Sequence, residues 1–243
     1  MTVSLPFIPP AAALGPGASV ENVSSAKTGV LSGVTSATFT SMALGTAETG
    51  RKILVAVMWH RGGTNATVSS LTVGGNTASP VAGEGASGGA ATDRRIEFWQ
   101  INNYNSGTTG DIVVTLSGGT NFILMGVSVY KCMGLADSAT QASGAQSNTN
   151  TVAVSNVDSV AGRVAIAACF MTASNLGSAN AAWSGTLGVV EDMEMGDVGN
   201  VTGRATTASV ISTTTDTNRT VQCVMSGSTS YNSVILVVTF GAA

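Results

Sequence analysis

The sequence predicts an all-β protein: two tandem β-sandwich repeats, jelly-roll or immunoglobulin-like, behind an extended N-terminal arm. Three observations carry this. From about Val30 onward, short segments rich in Val, Ile, Thr and aromatics alternate with clusters of Gly, Ser, Asn and Asp, the strand-and-turn signature. No window of a dozen residues keeps a 3.6-residue apolar period, so helices are at most single turns. Finally, three segments recur in the same order about 109 to 112 residues apart: Gly50–Trp59 echoes Gly162–Phe170, Val114–Gly118 echoes Cys223–Gly227, and Asn121–Tyr130 echoes Tyr231–Phe240. Each half then holds about seven strand candidates in roughly 110 residues, enough for one sandwich. The competing topology is one larger jelly roll sharing strands between both halves.

Residues 1–28 read as an arm. Pro6, Pro9, Pro10 and Pro16 force extended backbone, because proline fixes φ and restricts its predecessor. Phe7 and Ile8, with Pro9 and Pro10, are poorly placed in solvent, so this stretch is expected to lie along a neighbouring surface as an assembly arm. The first repeat spans 29–135. Within it, Ile53 to Trp59 is apolar on both faces, as a strand covered on each side would be. Gly74-Gly75 between Leu71-Thr72-Val73 and Asn76-Thr77 is a tight hairpin, since glycine reaches the positive φ such turns need. Asp111 to Ser117 sets Ile112, Val114 and Leu116 on one face. Residues 136–150, polar, small and without period, read as the linker. In the second repeat, 151–243, Asn218 to Met225 sets Val221, Cys223 and Met225 on one face.

Composition narrows the function classes. Only 9% of the 243 residues are charged, against about one quarter in an ordinary globular chain. With a mean hydropathy of +0.32 and a net charge of -3, disorder is excluded. No apolar run approaches the roughly 20 residues of a membrane span. The start, Met1 to Gly17, lacks a basic n-region and its prolines interrupt any apolar stretch, so it does not read as a secretory leader. Cytosolic synthesis follows, with Cys132, Cys169 and Cys223 as reduced core thiols. Ten basic residues spread along a chain of pI near 5.0 leave no phosphate-binding footprint, so nucleic acid is not an expected partner.

Candidate chemistry is sparse. His60 is the only histidine, which removes most general-base and metal chemistry, and it reads as structural. Gly85-Ala86-Ser87-Gly88-Gly89 fits G-x-S-x-G, but the nucleophile elbow needs a strand before the serine and a helix after it. The acidic run Glu191 to Asp197 could offer Asp192, Glu194 and Asp197 as oxygen ligands to Ca²⁺; a solvated turn after a strand at 187–190 explains it as well. Arg94-Arg95 beside Phe98, Trp99 and Tyr104 suggests base stacking or a sugar platform. Trp99, Tyr104 and Trp183 are the candidates for a glycan-binding surface, against the ordinary reading of sandwich aromatics as core. No catalytic or cofactor-binding set emerges, and no cofactor is expected.

The strings ILVAVMWHRGG (53–63), SSLTVGGNTASPV (69–81), TGDIVVTLSGG (109–119) and MGVSVYKCMGLAD (125–137), followed by AWSG (182–185) and VVEDMEM (189–195), resemble a group of β-sandwich proteins encoded in tailed-phage and prophage structural clusters. The resemblance covers about Val30 to Phe240 and rests on strand and turn patterns. It implies a non-enzymatic virion component, a capsid decoration or head-fibre protein. Such a protein would be assembled in the host bacterial cytoplasm, as a homo-oligomer in contact with the major capsid protein or with tail and neck components. It supplies no active-site residues. A glycan-binding adhesin displayed on the particle is the alternative.

Overall fold

The computed structural model describes residues 17–28, 31–61, 66–87, 93–118, 121–173, 180–195, 203–226 and 231–243. All regular structure within them is β. In chain order the strands are β1 (Ser19–Lys27), β2 (Leu31–Ser32), β3 (Ser36–Ala43), β4 (Lys52–Arg61), β5 (Val68–Val73), β6 (Asn76–Thr77), β7 (Ser79–Ser87), β8 (Asp93–Ile101), β9 (Thr109–Leu116) and β10 (Asn121–Met133). They continue as β11 (Gln141–Ser147), β12 (Thr151–Ser159), β13 (Val164–Ala173), β14 (Ala181–Ser184), β15 (Val190–Met195), β16 (Gly203–Ile211), β17 (Asp216–Met225) and β18 (Tyr231–Phe240).

Pairing is antiparallel throughout and produces four sheets. The first inner sheet runs β1-β10-β4-β8-β7, with β2 also on β10, and the first outer sheet runs β3-β9-β5-β6. The second inner sheet runs β11-β18-β13-β16-β15, and the second outer sheet β12-β17-β14. Among the described residues no sheet mixes strands from before and after residue 140, so the described sheets do not share strands between the halves. The pairing order is parallel between the halves: β1, β10, β4, β8 and β7 occupy the places of β11, β18, β13, β16 and β15. Within each half this is jelly-roll order, the first and last strands side by side in one sheet. In the first half the strand after the Gly74-Gly75 turn even changes sheets, pairing with β5 at Asn76 and Thr77 and with β8 from Ser79. Gly74 and Gly75 have φ of +54° and +80°, as that turn requires.

The sheets stack in four layers with three apolar cores between them. Along β4, Ile53, Val55, Val57 and Trp59 face the first outer sheet, while Leu54, Ala56 and Met58 face the second sandwich. Along β13 the same division holds: Val164, Ile166, Ala168 and Phe170 meet the first sandwich, and Ala165, Ala167, Cys169 and Met171 meet the second outer sheet. A strand covered on both sides must be apolar at every position, which is why these segments lose the alternation of a half-buried strand. The inner sheets face one another with reversed strand order: β1 packs on β15 and β16, and β7 packs on β11 and β18.

Three expectations are corrected. Residues 19–27, read as part of the arm, form β1 on the edge of the first inner sheet. Its register shifts between Asn22 and Ser24, so Val20 packs on the core between the sandwiches while Val23 and Ala26 pack on the core of the first. Residues 141–147, read as linker, form β11, paired with β18 from Gln141↔Thr239 to Ser147↔Ser233. Both are polar edge strands held by the main-chain ladder, and an apolar pattern does not reveal that kind of strand. The acidic run is no turn either: β15 begins at Val190 and carries Glu191, Asp192 and Glu194 along β16. The arm residues Phe7, Ile8, Pro9 and Pro10 lie outside the described residues.

Candidate functional site

Two of the three residues of the proposed aromatic platform are inside the protein. Trp99 is 6% and Tyr104 5% exposed, both inside the first core, where Trp59 is fully buried. On β8 the odd-numbered residues face inward to that core, so Trp99 shares a face with Glu97 and Arg95. Glu97 Oε2 accepts from the Trp99 indole at 3.0 Å, and Oε1 accepts from Arg95 Nε at 2.7 Å and from the Val68 amide at 3.2 Å. That carboxylate is saturated by its own sandwich and holds β8 to β5. Trp183 is half-buried on β14, its indole donating to Thr206 Oγ1 at 2.9 Å. The faces of Trp99 and Tyr104 are therefore taken up by core packing, while Trp183 stays partly exposed.

The acidic residues of β15 are committed to the protein as well. Asp192 accepts from the Tyr130 hydroxyl at 2.8 Å and from Ser209 Oγ at 2.9 Å, joining the two sandwiches. Glu194 pairs with Arg204 and accepts from the Ala181 amide at 3.2 Å. Asp197 lies outside the described residues, and among those described no three His, Cys, Asp or Glu side chains gather as a metal site. The G-x-S-x-G segment also departs from an elbow: Ser87 ends β7 opposite Asp93, and the chain returns as a strand, β8.

Two polar clusters lie at opposite ends of the stack. At one end, His60 on β4 and Arg94 on β8 are register partners facing the second sandwich. Arg94 is 4% exposed and its Nε donates to Thr172 Oγ1 of β13; the His60 ring sits 6.3 Å from that of Phe170. Both imidazole nitrogens are buried without a hydrogen-bond partner. Burial, with the Arg94 guanidinium adding to it, pushes His60 from 6.5 down to about 4. The ring is therefore neutral near pH 7.

A pH dependence follows. The unfolded chain binds a proton at His60 more tightly than the folded chain does. The contribution of a neutral His60 to stability is complete above about pH 6.5, falls with pH, and is gone by about pH 4, a loss of about 3 kcal/mol. Asp192 and Glu191 act in the opposite sense, since burial raises both carboxyls and their protonation favours the fold at low pH. Urea titrations of the wild type and His60→Leu between pH 7 and 4 isolate the histidine. The wild type is expected to lose the larger amount, and equal losses would show that His60 does not titrate this way.

At the other end, Arg51 is fully buried just before β4 with no acidic partner among its hydrogen bonds. Its Nε donates to Tyr104 O at 2.9 Å, Nη1 to Leu44 O at 3.1 Å and Gly45 O at 2.8 Å, and Nη2 to Ser106 O at 3.0 Å and Gly107 O at 2.7 Å. The guanidinium also lies 5.1 Å from the centre of the Tyr104 ring. Five donors in a rigid fork thus clamp two connections, 44–45 and 104–107. Beside the clamp, a cavity of about 420 Å³ is lined by Thr49, Lys52, Asn102, Asn103, Met133 and Asp137, among others. The Lys52 ammonium donates to Ala136 O and lies 4.6 Å from the Phe240 ring centre; burial lowers its pKa. Asn102 and Gln100 both donate to Asp137 O, at 3.2 and 2.6 Å. These contacts fix the junction between the halves, where Leu135 also bridges to Ala242. The sequence signal for Arg51 was the Gly-Arg pair opening the repeated segment. Nothing in it distinguishes a buried arginine from a solvated one.

The three cysteines are free and buried. Burial pushes the Cys132 thiol up to about 12 and, with Cys223 adjacent, raises Cys169 as well, so neither is an activated thiolate.

Fold and geometry define an all-β protein of stacked antiparallel sheets, in keeping with a β-sandwich. Comparison with known proteins finds no matching family model, no matching curated protein and no matching solved structure. These comparisons give no support to the resemblance to phage structural proteins.

Proposed function

We propose that the protein is a non-enzymatic structural component of a tailed-phage virion, a capsid decoration or head-fibre protein that acts through subunit assembly. The observation that carries this is where the few charges go. Arg51, Lys52, Arg94 and Glu97 are buried, and further charges are tied up in the pairs Lys131–Glu48, Arg204–Glu194 and Arg219–Asp216. The outward positions of the first outer sheet include Ser36, Thr38, Ser70, Thr72, Val113 and Thr115, with Asp111 at the margin accepting from the Ser41 amide. Those of the second include Thr151, Ala153, Ala182, Ser184, Thr220, Gln222 and Val224, with Asp158 exposed near the end of β12. Sheet faces with few charges on both sides of the stack can approach copies of themselves or other subunits with little charge repulsion.

The test joins light scattering on the purified protein with mass spectrometry of purified particles from a host carrying the gene. The reading predicts an oligomer in solution and the chain among the virion proteins. A monomer at all concentrations, absent from particles, contradicts it.

A further inference from the structure

Val190, 69% exposed, and Ile211, 40% exposed, are two of the large apolar side chains that stand in solvent. They share one corner of the second inner sheet. Val190 opens β15 opposite Ser209, and Ile211 closes β16 opposite Val164. Ser209 donates to Asp192, which Tyr130 reaches from the first sandwich, so this face of β16 looks toward that sandwich. Ile211, two residues on from Ser209, shares the face, as does Val190 beside Ser209.

Across from this corner runs β1, packed on both β15 and β16. Its Asn22 pairs with Tyr130 and its Ser19 with Met133, which sets the start of β1 level with the start of β15. Gly17 and Ala18 lie against Gly134 at the same end. The chain therefore enters the fold beside its own uncovered apolar corner. Residues 1–16 hold no charged side chain and carry Val3, Leu5, Phe7, Ile8 and Leu14. Extended, the ten residues from Phe7 to Pro16 span about 33–36 Å, ample to reach across the edge from β1 to β15.

We propose that the N-terminal segment docks on the Val190–Ile211 corner of its own chain, closing the seam between the two sandwiches beside β1. This occupant differs from the neighbouring subunit expected for the arm, and the proposal stands independently of a virion role. Leu14→Cys is combined in the full chain with Val190→Cys and, separately, with Ile211→Cys, under mild oxidation. The native cysteines are buried and do not compete. At least one pair is expected to cross-link within a single chain, seen as a faster-migrating monomer on a non-reducing gel. Removing residues 1–16, or the pair Phe7→Ser and Ile8→Ser should the shortened chain fail to fold, is expected to speed amide exchange across Glu191–Met195 by about tenfold. Cross-links only between chains, no cross-link from either pair, or exchange unchanged by the alterations overturns the proposal.

Discussion

Arg51→Met is expected to destabilise the protein by about 3–5 kcal/mol, because the substitution strips the hydrogen bonds from five carbonyls at once and water regains only some of them. Leu44, Gly45, Tyr104, Ser106 and Gly107 all turn their carbonyls to one guanidinium. Arg51→Lys recovers little: an ammonium has three donors on a flexible stem and cannot bridge both connections. Arg163 provides the control, standing directly ahead of β13 as Arg51 does ahead of β4. It is half-buried, and among the described residues its main chain bonds to Val160 and Ser212. Arg163→Met is accordingly expected to cost less than about 1 kcal/mol. Urea denaturation of the four proteins checks this, and equal losses at the two arginines would remove the clamp from the account.

Phe170→Ala is expected to cost about 3–5 kcal/mol and to lower the stability of both sandwiches together. The ring is fully buried in the core shared by the inner sheets, against His60 and Leu124 from the first half and Val234 from the second. A Cβ at Gly203 would stand 3.0 Å from it, so the site has no slack through which to collapse. Tryptophan placement allows the halves to be read separately. A Trp183→Phe background leaves Trp59 and Trp99 to report the first sandwich, and a Trp59→Phe, Trp99→Phe background leaves Trp183 to report the second. If the four layers are one cooperative unit, Phe170→Ala shifts both midpoints equally. A shift confined to the Trp183 signal would mean that the sandwiches unfold independently.

The parts of this architecture that were legible in the sequence are those where an apolar pattern decides. The two-sided apolarity of Ile53–Trp59 announced a covered strand, the faces of β9 and β17 followed their alternation, and the Gly74-Gly75 turn followed from its φ requirement. What stayed hidden depends on information no local window holds. β1 and β11 are polar edge strands whose order comes from main-chain bonds to β10 and β18, so their side chains read as arm and linker. β15 hides its strand under carboxylates that find partners on other strands, Tyr130 of the first sandwich for Asp192 and Arg204 of the neighbouring β16 for Glu194. Trp99 and Tyr104 could not be assigned to core or surface, because their burial comes from packing against the first outer sheet, which no local window shows. Arg51 and His60 look like surface residues until their neighbours, up to 110 positions away in sequence, are in place.

The low charge acquires a sharper meaning in this fold. Several of the few ionisable groups are consumed inside the stack or in pairs, and the broad outer faces are left mainly to Ser, Thr, Ala, Val and Gln. The most direct test of the assembly role is a density map of the intact particle from a host that carries the gene. The account predicts density for the four-layer stack at regularly repeated positions, with an outer sheet face against a neighbouring subunit. A complete map with no density of this shape, together with a monomeric purified protein, would contradict it.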